Sequence, residues 1–257
     1  MTNIGNSAEP YSAISLRSVG FKGKIFMFSD KPISSKFEEC GISWIPTTLF
    51  CNIEYEKMYT RYIIIKEFIE LFYESIDRLL YFDWGDTHFQ SDPFTFDDKS
   101  LHVSDERIKF GEEKFNDVWI SRINFMKTEY FLNKNIICNG LILGDKDSVY
   151  KTVSILSSTW IFHEKPLNDQ TIYNVLIYSH IPNEIDLHVV VDPNLASISA
   201  VILNETMRSI WHIDKLGSFC DSSTGFKPAV IHQYNRNPEL TKMFSSQCHY
   251  QNTFNIR

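Results

Sequence analysis

Apolar residues recur at four-residue steps along one stretch of this chain, at Ile64, Phe68, Phe72 and Ile76, with Ile65, Ile69 and Leu79 beside them. A stripe of that period marks an amphipathic helix, and Glu67, Glu70, Glu74 and Asp77 fall on the opposite side. The pattern predicts a helix over 57–80, turning into a short apolar strand over 79–82 that ends in Asp83. The other runs are shorter. Residues 24–28 are apolar and are closed by Ser29-Asp30-Lys31-Pro32, which reads as a strand and then a turn. Residues 44–51 form a weaker strand candidate, 135–143 a buried strand or strand-loop-strand, and 187–191, 200–203 and 227–232 short strands. Helices are expected over 111–123, 145–160, 168–178 and 238–244, with Asp145 at the positive end of its helix dipole. Strands alternating with helices of this length imply an α/β fold with a mainly parallel central sheet flanked by helices. Ligands of such sheets sit outside the carboxyl ends of the strands, where Asp83 and His232 both fall.

Composition narrows the function. The 257 residues suit one large domain, and 43% hydrophobic content supplies a sizeable core. Only ten residues are glycine, and neither G-x-G-x-x-G nor G-x-x-x-x-G-K-[ST] occurs, which removes most support for a dinucleotide-binding enzyme or a P-loop NTPase. A net charge of −7 without a dense basic stripe disfavours nucleic-acid binding. An acidic protein still binds a diphosphate when a divalent cation lies between them. The five cysteines are scattered and lack zinc spacing; they read as free thiols, with one or two disulfides open to a luminal chain. No stretch reaches the roughly 18 apolar residues of a membrane span. Residues 1–10 carry no signal-peptide core, so this chain alone reads as cytoplasmic, or as luminal if a targeting segment is missing. Asn204-Glu205-Thr206 is a glycosylation sequon of the kind that arises often by chance.

The segment Leu79-Leu80-Tyr81-Phe82-Asp83-Trp84-Gly85-Asp86 carries the most chemistry. An apolar strand delivers two carboxylates, three residues apart, into a turn. Hard cations such as Mn²⁺ or Mg²⁺ take oxygen ligands, which a carboxylate pair and a diphosphate supply. The same two residues serve equally as caps of the turn.

Residues 80–94, LYFDWGDTHFQSDPF, resemble a segment of a family of eukaryotic GT-A-like nucleotide-sugar glycosyltransferases, which reads approximately L-L-x-D-x-R-D-V-x-F-Q-x-D-P-F. Gly85 replaces the arginine of that pattern, and His88 is also unusual. The likeness continues in order through Ser15-Leu16-Arg17 with Gly20 and a strand, and loosely through Trp119-Ile120 and Asn124. It goes on through Ile136–Gly144 (IICNGLILG), Asn168-Asp169-Gln170 with Asn174, and Lys227–Arg236 (KPAVIHQYNR), where Asn235 replaces an aspartate. The resemblance implies a single GT-A-like domain over 1–257. The strand that opens such domains and contacts the nucleotide base is missing or degenerate here, since residues 1–8 do not read as a buried strand.

It further implies a metal-dependent transferase that moves a sugar from a nucleotide-diphosphate donor to a glycan, protein or lipid acceptor. Asp83, Asp86 and His232 match the ligands of Mn²⁺ or Mg²⁺; without the resemblance His232 is an ordinary strand-end histidine. Asp83, Asp86, Asn139, Gly140 and Arg236 match donor contacts, although Asn139-Gly140 also suits a tight turn and Arg236 a surface ion pair. Asp169 and Gln170 match the catalytic positions facing the sugar. The carboxylate there suits sugar hydroxyls or a general base, while Asn168 and Asp169 both suit a helix N-cap. Two alternatives stand beside the enzyme: a catalytically impaired GT-A-like module that binds glycans or proteins, and a metal-dependent phosphate-ester hydrolase drawing on a further ligand such as His88.

Overall fold

The computed structural model of the chain describes residues 10–47, 54–113, 116, 118, 120–122, 129–159, 168–198 and 210–247. Helix α1 (Tyr11–Ser18) leads into β1 (Ile25–Ser29), the short α2 (Ser35–Glu39) and β2 (Ile42–Pro46), which pairs parallel with β1. Arg17 ties this unit together: its guanidinium donates to the carbonyls of Phe21, Gly23, Cys40 and Gly41. The long helix α3 (Glu54–Phe72) follows. It ends in a 3₁₀ turn at Tyr73–Ser75, and the chain is extended at Ile76 before β3 (Arg78–Phe82) begins. The expected helix over 57–80 therefore overran its true end. Ile76 and Leu79 continue the four-residue period by coincidence. The ladder of β3 with β6, which pairs Arg78 with Asp145 and Leu80 with Leu143, overrides local helical preference.

The central sheet has the order β3-β6-β5-β7, with β6 (Asn135–Asp145) antiparallel to both β3 and β5 (Leu101–Lys109), and β7 (Val189–Val191) parallel to β5. The sheet is mixed, which corrects the expectation of a mainly parallel one. The cause lies in β5, Leu101-His102-Val103-Ser104-Asp105-Glu106-Arg107-Ile108-Lys109, whose charged second half hid it as a strand. The chain returns from β5 as its antiparallel neighbour β6, so no helical crossover is needed. A second sheet, β4-β11-β8, joins β4 (Thr87–Phe89), β11 (Val230–His232) and β8 (Leu195–Ser197), and β9 (Trp211–Ile213) pairs with β10 (Phe219–Asp221). Helices α4 (Glu129–Leu132), α5 (Lys146–Thr159), α6 (Asp169–Tyr178), α7 (Ile181–Glu184) and α8 (Pro238–Gln247) complete the described elements. The helix expected over 111–123 is a 3₁₀ turn at Phe110–Glu112 with helical backbone at Asn116, Val118 and Ile120, while 123–128 lie outside the described residues, as do 1–9, 48–53, the strand expected over 200–203 and the sequon. Cys40, Cys138 and Cys220 are free, buried thiols.

Strand β6 divides the interior. Along a strand successive side chains point to opposite faces. Ile142 enters a core built with α3, α5 and α6, whereas Leu141 and Leu143 enter a second core with α1, β1 and β2. Each fully buried side chain of this size stabilises the fold by about 1.5–3 kcal/mol. The site lies where these layers meet the β4-β11-β8 sheet.

One ionic cluster fastens the far edge. His102 on β5 faces Asp192 through Nδ1 and Asp98 through Nε2, both at 2.8 Å, and its ring packs on Phe96. Burial works against the imidazolium, but the two carboxylates outweigh it and raise the His102 pKa; burial likewise opposes the Asp192 carboxylate, and His102 with the Asn194 amide still holds it below the usual range. The histidine's contribution is complete below its unfolded pKa of about 6.5 and is lost as pH rises through the higher folded value. The aspartate's contribution is complete above its unfolded value of about 3.9 and is lost as pH falls through the lower folded one. The cluster is thus strongest between about pH 4 and 6.5. Melting curves from pH 6 to 9 are expected to show stability falling by on the order of 1 kcal/mol from this source. His102→Gln should flatten that part of the slope; an unchanged slope would assign the pH dependence elsewhere.

Candidate functional site

The first carboxylate is fixed by the end of β3. The Asp83 amide donates to the carbonyl of Gly140 (3.0 Å), extending the β3–β6 ladder by one bond. A turn then reverses the chain: Gly85 has φ +93°, a conformation that favours glycine, and the Thr87 hydroxyl donates to the Asp83 carbonyl (2.9 Å). The turn carries Asp86 back toward Asp83 and leads into β4. The register of β4 with β11 sets Thr87 opposite His232, which brings the imidazole beside the residue before Thr87, namely Asp86. His232 Nε2 lies 3.5 Å from Asp86 Oδ1 and 4.0 Å from Asp83 Oδ2. On its other side His232 Nδ1 meets the Cys138 sulfur at 3.2 Å and the Ser197 hydroxyl at 3.4 Å. These contacts orient the ring, and Gln233 after it takes the left-handed conformation (φ 63°).

Gly140 floors the site. A Cβ there would lie 2.2 Å from His232 Cε1, 2.6 Å from Nε2 and 3.1 Å from Asp83 Oδ2, so any side chain at 140 displaces the imidazole. The glycine is required by this close approach and not by a turn, since residues 139 and 140 lie within β6.

A second layer of charge lies next to the first. Arg61 on α3 donates to Asp83 Oδ1 (2.9 Å), to the Tyr81 hydroxyl (2.9 Å) and to Asp169 Oδ2 (2.6 Å). The Tyr81 hydroxyl donates to Asp83 Oδ1 (2.7 Å), and that of Tyr62 to Asp169 Oδ2 (3.2 Å). The Asn139 amide donates to Tyr62 (3.0 Å). Asp169 Oδ1 accepts from the Gln170 amide, so both oxygens of this buried carboxylate are engaged. Burial raises the Asp83 pKa, but Arg61, His232 and Tyr81 together outweigh it and hold the carboxyl below its ordinary value. Burial opposes the His232 imidazolium, yet the Cys138 sulfur and Asp86 raise its pKa well above that of a free histidine.

Of the residues singled out in the sequence, Asp83, Asp86, Asn139, Gly140, Asp169 and His232 come together. Gln170 turns instead to a separate polar group, donating to Asn116 at 2.9 Å and, at 3.5 Å, to Glu106. Asn168 caps α6, accepting from the Gln170 amide. Arg236 is exposed on the turn after β11, where it donates to the Gln233 amide oxygen (3.2 Å) once that amide is oriented to donate to Ile198. His88 points elsewhere. It is buried and stacked on Phe244 at 3.8 Å, and burial, helped by Lys227, pushes its pKa down to about 3. Arg61 was missed by sequence reasoning. Its signal was there: it falls four residues before Ile65 and eight before Ile69, so it places a cation on the buried face of an amphipathic helix.

The donor chemistry fits a hard cation in an open site. Asp86 Oδ1 and His232 Nε2 are both buried and face each other at 3.5 Å as an ion pair, and neither makes a hydrogen bond to another group, so each keeps coordinating capacity that a ligand would use. Asp83 Oδ2 faces the same point. Among the described residues no group of three or more His, Cys, Asp or Glu is arranged so that it could hold a metal ion, Asp83, Asp86 and His232 included. Remaining ligands would have to come from a bound diphosphate or water.

Comparison with known proteins gives little by sequence: no protein-family profile and no curated protein matches the chain. Among solved structures it is similar to a glycosyltransferase involved in the glycosylation of the major capsid of PBCV-1, with 13% identity over 79% of this chain and 87% of that one and a TM-score of 0.41.

Proposed function

We propose that this chain is a GT-A-like, metal-dependent glycosyltransferase that moves a sugar from a nucleotide-diphosphate donor to a glycan, protein or lipid acceptor. The observation that supports it most is the convergence of Asp83, Asp86 and His232, in which the buried Asp86 Oδ1 and His232 Nε2 face each other at 3.5 Å and neither hydrogen-bonds to another group. In this reading Asp83, Asp86 and His232 hold Mn²⁺ or Mg²⁺ together with the donor diphosphate. The cation would supply charge neutralisation of the leaving diphosphate. Gly140 leaves room for the His232 imidazole beside Asp83, and Asn139, fixed by Tyr62, offers the donor a hydrogen bond. Arg61 sets a permanent positive charge beside Asp83, and Asp169 is a positioning residue that aims it. Gln170 shapes the acceptor side through Asn116, and Arg236, exposed beside Gln233, would reach a donor phosphate from the surface.

One observation favours a second reading, a catalytically impaired module that binds glycans or proteins. Arg61 already neutralises the Asp83 carboxylate that a cation would use. Thermal shift separates the two. Sugar nucleotides with Mn²⁺ are expected to raise the unfolding midpoint, at saturations near 100 times Kd by the equivalent of about 2.7 kcal/mol. EDTA should abolish the shift, and Mn²⁺ alone should give little. No shift across a panel of sugar nucleotides would favour the impaired module.

A further inference from the structure

Two serines lie fully buried behind His232 and take no part in the chemistry described above. Ser104 on β5 is 0% exposed and Ser197 on β8 is 1% exposed. Register brings both of them there. In the parallel β8–β11 ladder Ser197 stands opposite His232. In the central sheet Leu101, His102 and Val103 pair regularly with Gly144, Leu143 and Ile142. The ladder then jumps, so that Ser104 stands opposite Cys138 and residues 139–141 of β6 are left without a counterpart on β5. Bulges beside a site re-aim side chains. This one releases Asn139 and Gly140 to the site and sets Ser104 against β8.

The polar groups form a line. The Ser104 hydroxyl lies 3.0 Å from the Leu195 carbonyl and 2.9 Å from the Ser197 hydroxyl, which lies 3.4 Å from His232 Nδ1. Each hydroxyl has one hydrogen to give. The carbonyl of the buried Leu195 can only accept, so Ser104 donates to it. Ser104 then accepts from Ser197, and Ser197, its hydrogen engaged, accepts from the ring. We infer that Ser104 and Ser197 are positioning residues for His232: their relay holds a proton on Nδ1 and so makes Nε2 the nitrogen presented to the cation of the proposed site. What Nε2 meets rests on the proposed function; where the proton sits rests on the relay alone. Histidines that ligate metals commonly donate their other ring N–H to an acceptor that fixes the tautomer. Here the acceptor is a hydroxyl, itself oriented by a backbone carbonyl two bonds away. The Cys138 thiol, 3.2 Å from the same Nδ1, donates too weakly to reverse this order, and its sulfur takes a share of the Nδ1 proton.

NMR on the full chain labelled with ¹⁵N-histidine tests this, with His232→Gln to identify the signal among the eight histidines. Without metal or nucleotide, His232 Nδ1 should carry a proton throughout about pH 6 to 9, in slow exchange with water. Ser104→Ala, which removes no bond to the ring itself, should speed that exchange by about fivefold or more, while the core amides of β6 keep their wild-type rates. In the presence of UDP the same variant should bind Mn²⁺ about 10–100-fold more weakly than wild type. Three results would overturn the inference. They are an Nδ1 that carries no proton, exchange in Ser104→Ala that is unchanged or rises only together with the core amides, and an undiminished Mn²⁺ affinity in that variant. A wild-type chain that keeps the Nδ1 proton yet binds no Mn²⁺ would overturn the proposed function instead and leave the placement of the proton standing.

Discussion

Asp86→Ala is expected to lower sugar transfer by about 10²–10³-fold, the size of loss that follows removal of a key electrostatic group from a transfer site. Its effect on folding should be modest. Asp86 lies 3.5 Å from the buried His232 imidazole and raises its pKa, so its removal strips His232 of a counter-charge, and the unfolding midpoint should fall by about 2–4 °C. Asp83→Asn makes the informative contrast. It too removes transfer, but it also breaks the ion pair with Arg61 and should lower the midpoint clearly. Product formation from a radiolabelled sugar nucleotide, measured beside melting curves for both variants, checks the pair. Full transfer activity in Asp86→Ala would sink the assignment of this carboxylate.

The second large effect concerns Arg61. Its side chain is 12% exposed and is shared between Asp83 and Asp169, the latter 5% exposed. Arg61→Met leaves two partly or fully buried carboxylates without their counter-charge. Breaking such a pair costs about 3–5 kcal/mol, which for a chain of this size lowers the midpoint by roughly 6–20 °C. Lysine should rescue little, because one ammonium cannot reproduce the planar fork that reaches Tyr81, Asp83 and Asp169 at once. The double variant Arg61→Met/Asp169→Asn should recover part of the loss, since it removes one of the stranded charges. Additive losses in that double variant would show that the two residues do not act as a pair.

How much of this was legible in the sequence depends on what each residue's signal reports. Apolar runs report burial, so β1, β3 and β6 and the helices at 146–159 and 169–178 could be read within a few residues. Burial does not report strand direction, and β5 hid its pairing behind Asp105, Glu106 and Arg107, so the mixed sheet was not foreseen. The helix end at Phe72 was missed for a related reason: Ile76 and Leu79 are apolar because β3 packs, yet they happen to fall on the helical period. In the site, Asp83, Asp86 and His232 could be proposed together because of a resemblance in ordered motifs. Their proximity is fixed by the Thr87–His232 register, which no local pattern encodes. Arg61 escaped because a lone arginine in a helix is most often a solvated side chain. Gln170 was grouped with Asp169 by sequence neighbourhood, but adjacent helical residues point about 100° apart, and Gln170 belongs to the Asn116 side.

In the proposed enzyme a single cation joins the turn after β3 to the histidine of β11. Crystals grown with Mn²⁺ and a nucleoside diphosphate, measured at the manganese absorption edge, test it most directly. The expected result is one anomalous peak within coordination distance, about 2.0–2.3 Å, of a carboxylate oxygen of Asp83 or Asp86 and of His232 Nε2. A diphosphate bound with no such peak, or manganese bound away from these side chains, would contradict it.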